Sequence, residues 1–302
     1  MIGILGPDQL RHAVTWHDAV DAVAQALASL GTGRVIQPPA VEIRMPAGGE
    51  LHVKGGYLLD SDWILVKVAT GGFPGGPPTA CLLLVDATTG APRWLLDDRG
   101  WLTQQRTAAA GVLASMTFSR PDATTVLVVG TGGLTAALVE AFHEVAPHLG
   151  VTLWGRNHHR TRALAAEFGV AAAANLPHAA STTDIIVTAT SSRAPVLEAD
   201  WVQPGTHITA LGADTVGKQE LPVTLLGRAD LIVCDNIATA LKAGELQHAA
   251  PTIQARAVAW LELAAGGPPA RQFGAITVAD LCGIGAEDAA IAAAALRCFD
   301  LA

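Results

Sequence analysis

The stretch from Ala123 to Phe142, ATTVLVVGTGGLTAALVEAF, constrains the fold more than any other part of this chain. Thr125 to Val129 is an unbroken run of β-branched and apolar residues, which predicts a strand covered on both faces, as in a parallel sheet. Gly130, Thr131, Gly132 and Gly133 make a tight turn, and Leu134 to Phe142 reads as a helix. Strand, glycine turn and helix in that order open a doubly wound α/β sheet.

The same turn suits a phosphate. Backbone N–H groups at a helix N-terminus accept a pyrophosphate only where no side chain intervenes, which gives Gly130 and Gly132 a reason to be glycine, with Thr131, Gly133 and Leu134 completing the cradle. The third small position is Thr135, where glycine or alanine is usual, so a threonine must pack between helix and strand. The alternative is a purely structural turn. The second strand, Val151 to Trp154, runs into GRNHHRTR. Where an acid would meet a ribose 2′-hydroxyl, the chain carries Arg156 and Asn157, with Arg160 and Arg162 nearby, and positive charge there suits a 2′-phosphate. NADP(H) is therefore the expected cofactor, with NAD(H) possible. Otherwise these arginines are the solvated face of the next helix.

After a helix near Arg160 to Phe168 come DIIVTAT, HITALGAD and DLIVCD, three short apolar strands ending in polar or small residues. Ligands of such sheets lie outside the carboxyl ends of the strands, so Thr190, Ser191, Asp214 and Asp235 are expected along the cofactor crevice. A carboxylate at Asp214 near a nicotinamide can move a proton or steady an iminium; alternatively it caps the next helix.

Upstream, LTQQRTAAAG reads as a helix starting near Leu102, with Thr103 as N-cap and Arg106 in the first turn. A guanidinium at a helix N-terminus presents a planar fork to a carboxylate, unless it merely makes a surface ion pair. The segments AVEIRMP, ELHVKGGYL, WILVKVAT and ACLLLVDATTGAPRWLLDD predict an antiparallel or mixed sheet, with DATTG as a hairpin turn and GGFPGGPP as a loop. Lys67 sits between two valines, so it points either to solvent or into a pocket; Arg44 and Lys54 pose the same question.

The chain has 302 residues, enough for two domains. Half are hydrophobic and only 15% charged, against about 25% in ordinary soluble domains, which suggests surface hidden in an oligomer. A net charge of −8 offers no basic stripe for nucleic acid or an anionic membrane. Acidic and basic residues interrupt the first 25 positions, so no signal peptide is expected and the protein reads as cytoplasmic. The cysteines Cys81, Cys234, Cys282 and Cys298 lack CxxC spacing and read as buried free thiols. The ten histidines show no metal spacing, and no metal is expected.

Taken in order, Arg44, Lys67, LTQQRTAAAG with Arg106, the GTGGLT turn, GADTVGKQEL with Asp214 and the closing ITVADLCGIGAEDAA resemble the ornithine cyclodeaminase and mu-crystallin family over nearly the whole chain. The resemblance implies an α/β protein with a Rossmann NAD(P)-binding domain, residues 119–283. An N-terminal α/β dimerisation and substrate domain, 1–118, is completed by the C-terminal helix in 284–302. It implies a homodimer in which Arg44, Lys67 and Arg106 hold a substrate carboxylate, Lys67 and Asp214 are catalytic, and Gly283 joins the cofactor site. Cyclodeaminases of the family place an acid before the strand leading to Lys67, whereas His52 stands here, followed by Lys54; ornithine is therefore disfavoured. The expectation is NADPH-dependent reduction of Δ1-pyrroline-2-carboxylate or Δ1-piperideine-2-carboxylate to L-proline or L-pipecolate. An ornithine cyclodeaminase or an alanine-type dehydrogenase is the alternative. A non-enzymatic mu-crystallin-like binding protein fits less well, since the four charged positions are all present. The expected partner is a small cyclic imino acid or amino acid.

Overall fold

The computed structural model describes residues 2–264, 272 and 274–301. The chain forms two units, Met1–Arg106 with Ile284–Ala302, and Thr107–Gly283. The first division falls inside the helix Trp101–Phe118, earlier than the expected boundary at residue 118.

Period-two patterning builds the first unit. Its seven strands are β1 (Gly3–Leu5), β2 (Val35–Ile36), β3 (Val41–Arg44), β4 (Glu50–Leu58), β5 (Trp63–Gly71), β6 (Thr79–Asp86) and β7 (Pro92–Leu96), in the order β1-β7-β6-β5-β4-β2 with β3 also on β4. The sheet is mixed: β1 runs parallel to β7 and the other pairs are antiparallel. The DATTG hairpin forms as expected, the Asp86 carboxylate accepting from Thr88 N (3.0 Å) and Thr89 N (2.8 Å). Alternation along β5 and β6 buries Leu65, Lys67, Leu82 and Leu84, while Ile64, Val66, Val68, Leu83 and Val85 on the other face are only half-buried.

The inner face is covered by helices Trp16–Gly31 and Gly285–Cys298. Thr15 caps the first, accepting from Asp18 N at 3.1 Å, and Trp16, Ala19, Ala22, Val23, Ala26 and Leu27 form its buried stripe at helical spacing. The second lies backbone to backbone on β4. A Cβ on Gly285 would come within 2.0 Å of the Gly55 carbonyl oxygen, and one on Gly56 within 2.3 Å of the Gly285 oxygen. Only glycines allow this seat.

Helix Trp101–Phe118 starts one residue before Leu102, so Thr103 lies inside its first turn and not at the N-cap position, and another group must support the first N–H groups. The Asp98 carboxylate does this, accepting from Gly100 N (3.1 Å) and Leu102 N (2.7 Å). Arg106 is therefore in the second turn, where the helix dipole has less influence than expected for the first.

Among its described residues the second unit holds an all-parallel eight-stranded sheet: β8 (Thr125–Val129), β9 (Gly150–Trp154), β10 (Ala171–Ala172), β11 (Ile185–Thr188), β12 (His207–Ala210), β13 (Leu231–Cys234), β14 (Ala257–Ala259) and β15 (Thr277–Asp280), in the order β10-β9-β8-β11-β12-β15-β13-β14. Residues such as Leu127, Ile186, Ile208, Ile232 and Val278 fill its core at 1% exposure or less, each contributing roughly 1.5–3 kcal/mol. The chain order places β8 between β9 and β11, and this reversal is where a doubly wound sheet opens a crevice. Of the four thiols, Cys234 and Cys282 are buried and Cys81 partly so, but Cys298 is exposed, because it lies at the end of the last helix.

Candidate active site

In the second unit a groove opens at the carboxyl ends of β8, β9, β11 and β12. It is lined by the turn Gly130–Leu134, by Arg156, Asn157 and Arg160, by Thr190–Ser192, and by Leu211, Gly212, Asp214 and Lys218. The helix Gly133–Val145 begins here with Gly132 at its N-cap and no side chain capping it, so its first N–H groups are left for a ligand. Gly130 adopts φ +151°, and a Cβ there would meet the Ala189 carbonyl oxygen at 2.5 Å. A Cβ on Gly132 would point into open space. That emptiness is what a pyrophosphate needs, so the residues present fit a dinucleotide. Thr135 is fully buried and fits because Gly130 has no side chain.

At the end of β9 the expected residues take different tasks. The Asn157 side chain caps its own helix, accepting from Arg160 N at 3.0 Å, while Arg156 and Arg160 are exposed beside the groove. Asp214 does not cap a helix: its Oδ1 pairs with Lys218 Nζ at 2.6 Å within the groove lining. Asp235, expected along the crevice, is buried, and its Oδ1 accepts from Asn236 N and its Oδ2 from Gly283 N at 2.5 Å. Neither Asp235 nor Gly283 belongs to the groove lining.

The first unit gathers charge under its C-terminal helix. Lys67 and Arg106 are 2% and 5% exposed, which decides between pocket and solvent for both. Asp288 bridges them, with Oδ2 2.6 Å from Lys67 Nζ and Oδ1 2.9 Å from Arg106 Nε, and Glu287 Oε2 lies 3.2 Å from Arg106 Nη1. Lys54 stands directly opposite Lys67 in the β4–β5 register. Burial lowers the Lys67 pKa to about 7; Asp288 opposes this, and Arg106 and Lys54 reinforce it. Burial alone would raise Asp288, but Arg106 and Lys67 hold it at about 2, an ionised carboxylate.

Arg44 lies apart from this pair. It is exposed, its Nε donates to Glu42 Oε1 at 2.5 Å, and its β3 register places it against Glu50, which pairs in turn with Gly71 on β5. Arg44, Glu50, His52, Lys54 and Lys67 share one sheet face, but Arg44 is four residues along from Lys67, or about 13 Å. Among the described residues, Glu42, Glu50 and His52 form a trio whose ligand atoms lie within 4.8 Å of one another, a cross-strand arrangement that sequence spacing does not display. Asp288 and Glu287 are the functional-site residues that sequence reasoning missed. Their signal is two adjacent acids on a helix whose other residues, apart from Arg297 in its last turn, are small or apolar.

Residues 8–296 match the ornithine cyclodeaminase/mu-crystallin family. The chain belongs to that family. A relative in Rhizobium meliloti named as a dehydrogenase is 37% identical over 91% of this chain and 88% of its own. The Δ1-pyrroline-2-carboxylate reductase of Paracoccus denitrificans is 31% identical over 77% of this chain and 75% of its own. The solved structure of an archaeal alanine dehydrogenase dimer with bound NAD superposes with a TM-score of 0.90 at 27% identity, covering 98% of this chain and 95% of that one. The chain is thus an oxidoreductase of the nicotinamide-dependent kind. Among its described residues no helix is long and apolar enough to cross a membrane.

Proposed function

We propose that this protein reduces a cyclic ketimine carboxylate, Δ1-pyrroline-2-carboxylate or Δ1-piperideine-2-carboxylate, to L-proline or L-pipecolate with NADPH. The buried charge cluster carries the reading. Lys67 and Arg106 are held by Asp288 and Glu287 beneath the C-terminal helix, with Lys54 opposite Lys67 in the register, so cationic side chains are concentrated where a substrate carboxylate can pair with them. An arriving carboxylate raises the Lys67 pKa again, so binding and protonation of Lys67 reinforce each other. A relative named for reduction of Δ1-pyrroline-2-carboxylate, in Paracoccus denitrificans, supports a cyclic ketimine carboxylate as substrate.

Reduced nicotinamide supplies the hydride that C2 of the imine accepts. The Gly130–Leu134 turn would hold the pyrophosphate through backbone N–H groups, and Arg156 and Arg160, in the same groove lining, would pair with a 2′-phosphate. Asp214, ion-paired with Lys218, favours the protonated iminium, in which the carbon is the better hydride acceptor. The C=N double bond becomes single, with hydride on carbon and a proton on nitrogen. A cytoplasmic homodimer belongs to the same reading. The outer face of the first unit's sheet is apolar yet uncovered, with Val41 55% and Ile43 47% exposed, which suits a second copy.

One observation favours a second reading, an ornithine cyclodeaminase, in which the α-amine is oxidised to an imine by bound NAD+ and the cyclised imine is reduced again as ammonia leaves. Glu42 and Glu50 flank His52 on the face that carries Lys67, and their carboxylates can pair a distal ammonium even though His52 replaces the family's acid. Loss of NADPH absorbance with the two cyclic ketimines, beside ammonia release from ornithine with NAD+, separates the readings. The first predicts turnover in the ketimine arm that prefers NADPH to NADH. Ammonia release without ketimine reduction would overturn it.

A further inference from the structure

The loop that carries Asp214 is closed at its base by one buried side chain. Glu220 is fully buried. Its Oε2 accepts from Gly212 N (2.7 Å) and from the Thr188 hydroxyl (2.7 Å), and its Oε1 accepts from Thr190 N (2.7 Å). Gly212 opens the loop and Glu220 ends it, so the carboxylate ties the two ends together. Through Thr188 and Thr190 it also ties the loop to the end of β11. Thr190, Gly212, Asp214 and Lys218 all line the groove.

The fit around this carboxylate admits nothing more. A Cβ on Gly212 would lie 2.1 Å from the Thr190 oxygen and 2.5 Å from the Glu220 carboxyl carbon, so the glycine is required by Glu220's position. Glu220 is itself fixed from behind: Glu245 accepts from Glu220 N (2.8 Å) and Leu221 N (3.0 Å), and Leu246 N donates to Asp280 (3.1 Å). Gln247 holds the crown of the loop, accepting from Gly217 N at 2.7 Å and donating to the Lys218 carbonyl at 3.2 Å. A buried carboxylate with three donors is a costly group to keep unless its geometry is needed.

We propose that Glu220 is a positioning residue for the nicotinamide half of the dinucleotide. It acts through Gly212 and Thr190 to set the spacing of the β11 and β12 ends and to aim the Asp214–Lys218 pair. The adenosine half lies over β8 and β9 in a doubly wound sheet, so Glu220 does not touch its affinity. This inference rests on the dinucleotide reading above.

The test measures binding of NADPH and of 2′-phospho-ADP-ribose, which lacks the nicotinamide, to wild-type and Glu220→Gln protein, together with the pH profile of kcat. The amide keeps the size of the side chain but turns an NH2 toward backbone N–H groups. We expect unchanged affinity for 2′-phospho-ADP-ribose, about tenfold weaker NADPH binding, at least a tenfold fall in kcat and a displaced pH limb. If Glu220→Gln fails to fold, Thr188→Val removes a single donor and is expected to weaken NADPH about threefold, again sparing the fragment. Variants matching wild type in NADPH affinity, kcat and pH profile, or losing both ligands equally, would overturn the assignment of Glu220 alone. Wild-type protein that binds neither ligand would overturn the dinucleotide reading and this inference with it.

Discussion

The two units solve the problem of holding an anion in opposite ways. In Thr107–Gly283 the groove is built from backbone: the Gly130–Leu134 turn and an uncapped helix N-terminus offer N–H groups that come from one short stretch of chain. In the other unit the cations Lys67 and Arg106 come from a strand and a helix, and their counter-charges Asp288 and Glu287 come from residues more than 180 positions away from Arg106. A backbone site costs little to keep empty, since its donors face solvent. A buried cation cluster must be neutralised from within, and Asp288 does so. The difference teaches that the first kind of site is a local property of sequence, and the second exists only after the fold is complete.

The largest effect should come from breaking the neutralised cluster. Asp288→Ala leaves Lys67 and Arg106 buried without their shared partner, which should lower unfolding stability by about 3–5 kcal/mol in denaturant titrations. Retention of wild-type stability would remove the contrast between the units. The groove should behave differently: Gly132→Ala places a Cβ where the structure has nothing within 4 Å, so Tm should stay close to wild type while NADPH affinity falls at least about tenfold. A variant with normal affinity would show that the pyrophosphate lies elsewhere.

Acid sharpens the comparison next. The folded-state pKa of Asp288 is about 2, below the unfolded value of about 3.9, so its stabilisation is fully present above the unfolded pKa and is lost as pH falls toward 2. Acid titration of stability should be steeper for wild type than for Asp288→Asn across that window, and equal slopes would contradict the assignment. The smallest effect is expected at the rim of the groove. Arg156→Ala, at an exposed residue, should leave stability unchanged and cut the preference for NADPH over NADH by about 10-fold or more, the equivalent of the ~1.5–3 kcal/mol of a charged hydrogen bond. An unchanged ratio would leave the 2′-phosphate to Arg160 or to neither.

What could be read in advance follows the same division. The strand, glycine turn and helix of 125–145 were legible because each part is set by adjacent residues, and so was the Asp86 hairpin. The helix start near Leu102 was legible to within one residue, but its cap was assigned to Thr103, because Asp98, the supporting carboxylate, precedes the helix by more than the usual capping distance. Lys67 was ambiguous because alternation on β5 says only that it shares a face with Leu65. Whether that face is covered depends on the helix Gly285–Cys298, far along the chain. Asp288, Glu287 and Glu220 were invisible for this reason, since an acid in an apolar stretch becomes meaningful only when its partners are known. Arg44 was grouped with Lys67 by resemblance, and the register separates them along the sheet.

The central claim is that the Lys67–Arg106 cluster reads a substrate carboxylate, and one comparison tests it most directly: kcat/KM with NADPH for Δ1-piperideine-2-carboxylate against Δ1-piperideine, the same ring without its carboxylate, in wild type and Arg106→Ala. The account predicts that wild type prefers the carboxylate by at least about a hundredfold and that Arg106→Ala erases most of this preference. Equal turnover of the two rings by wild type, or a preference that survives in Arg106→Ala, would contradict it.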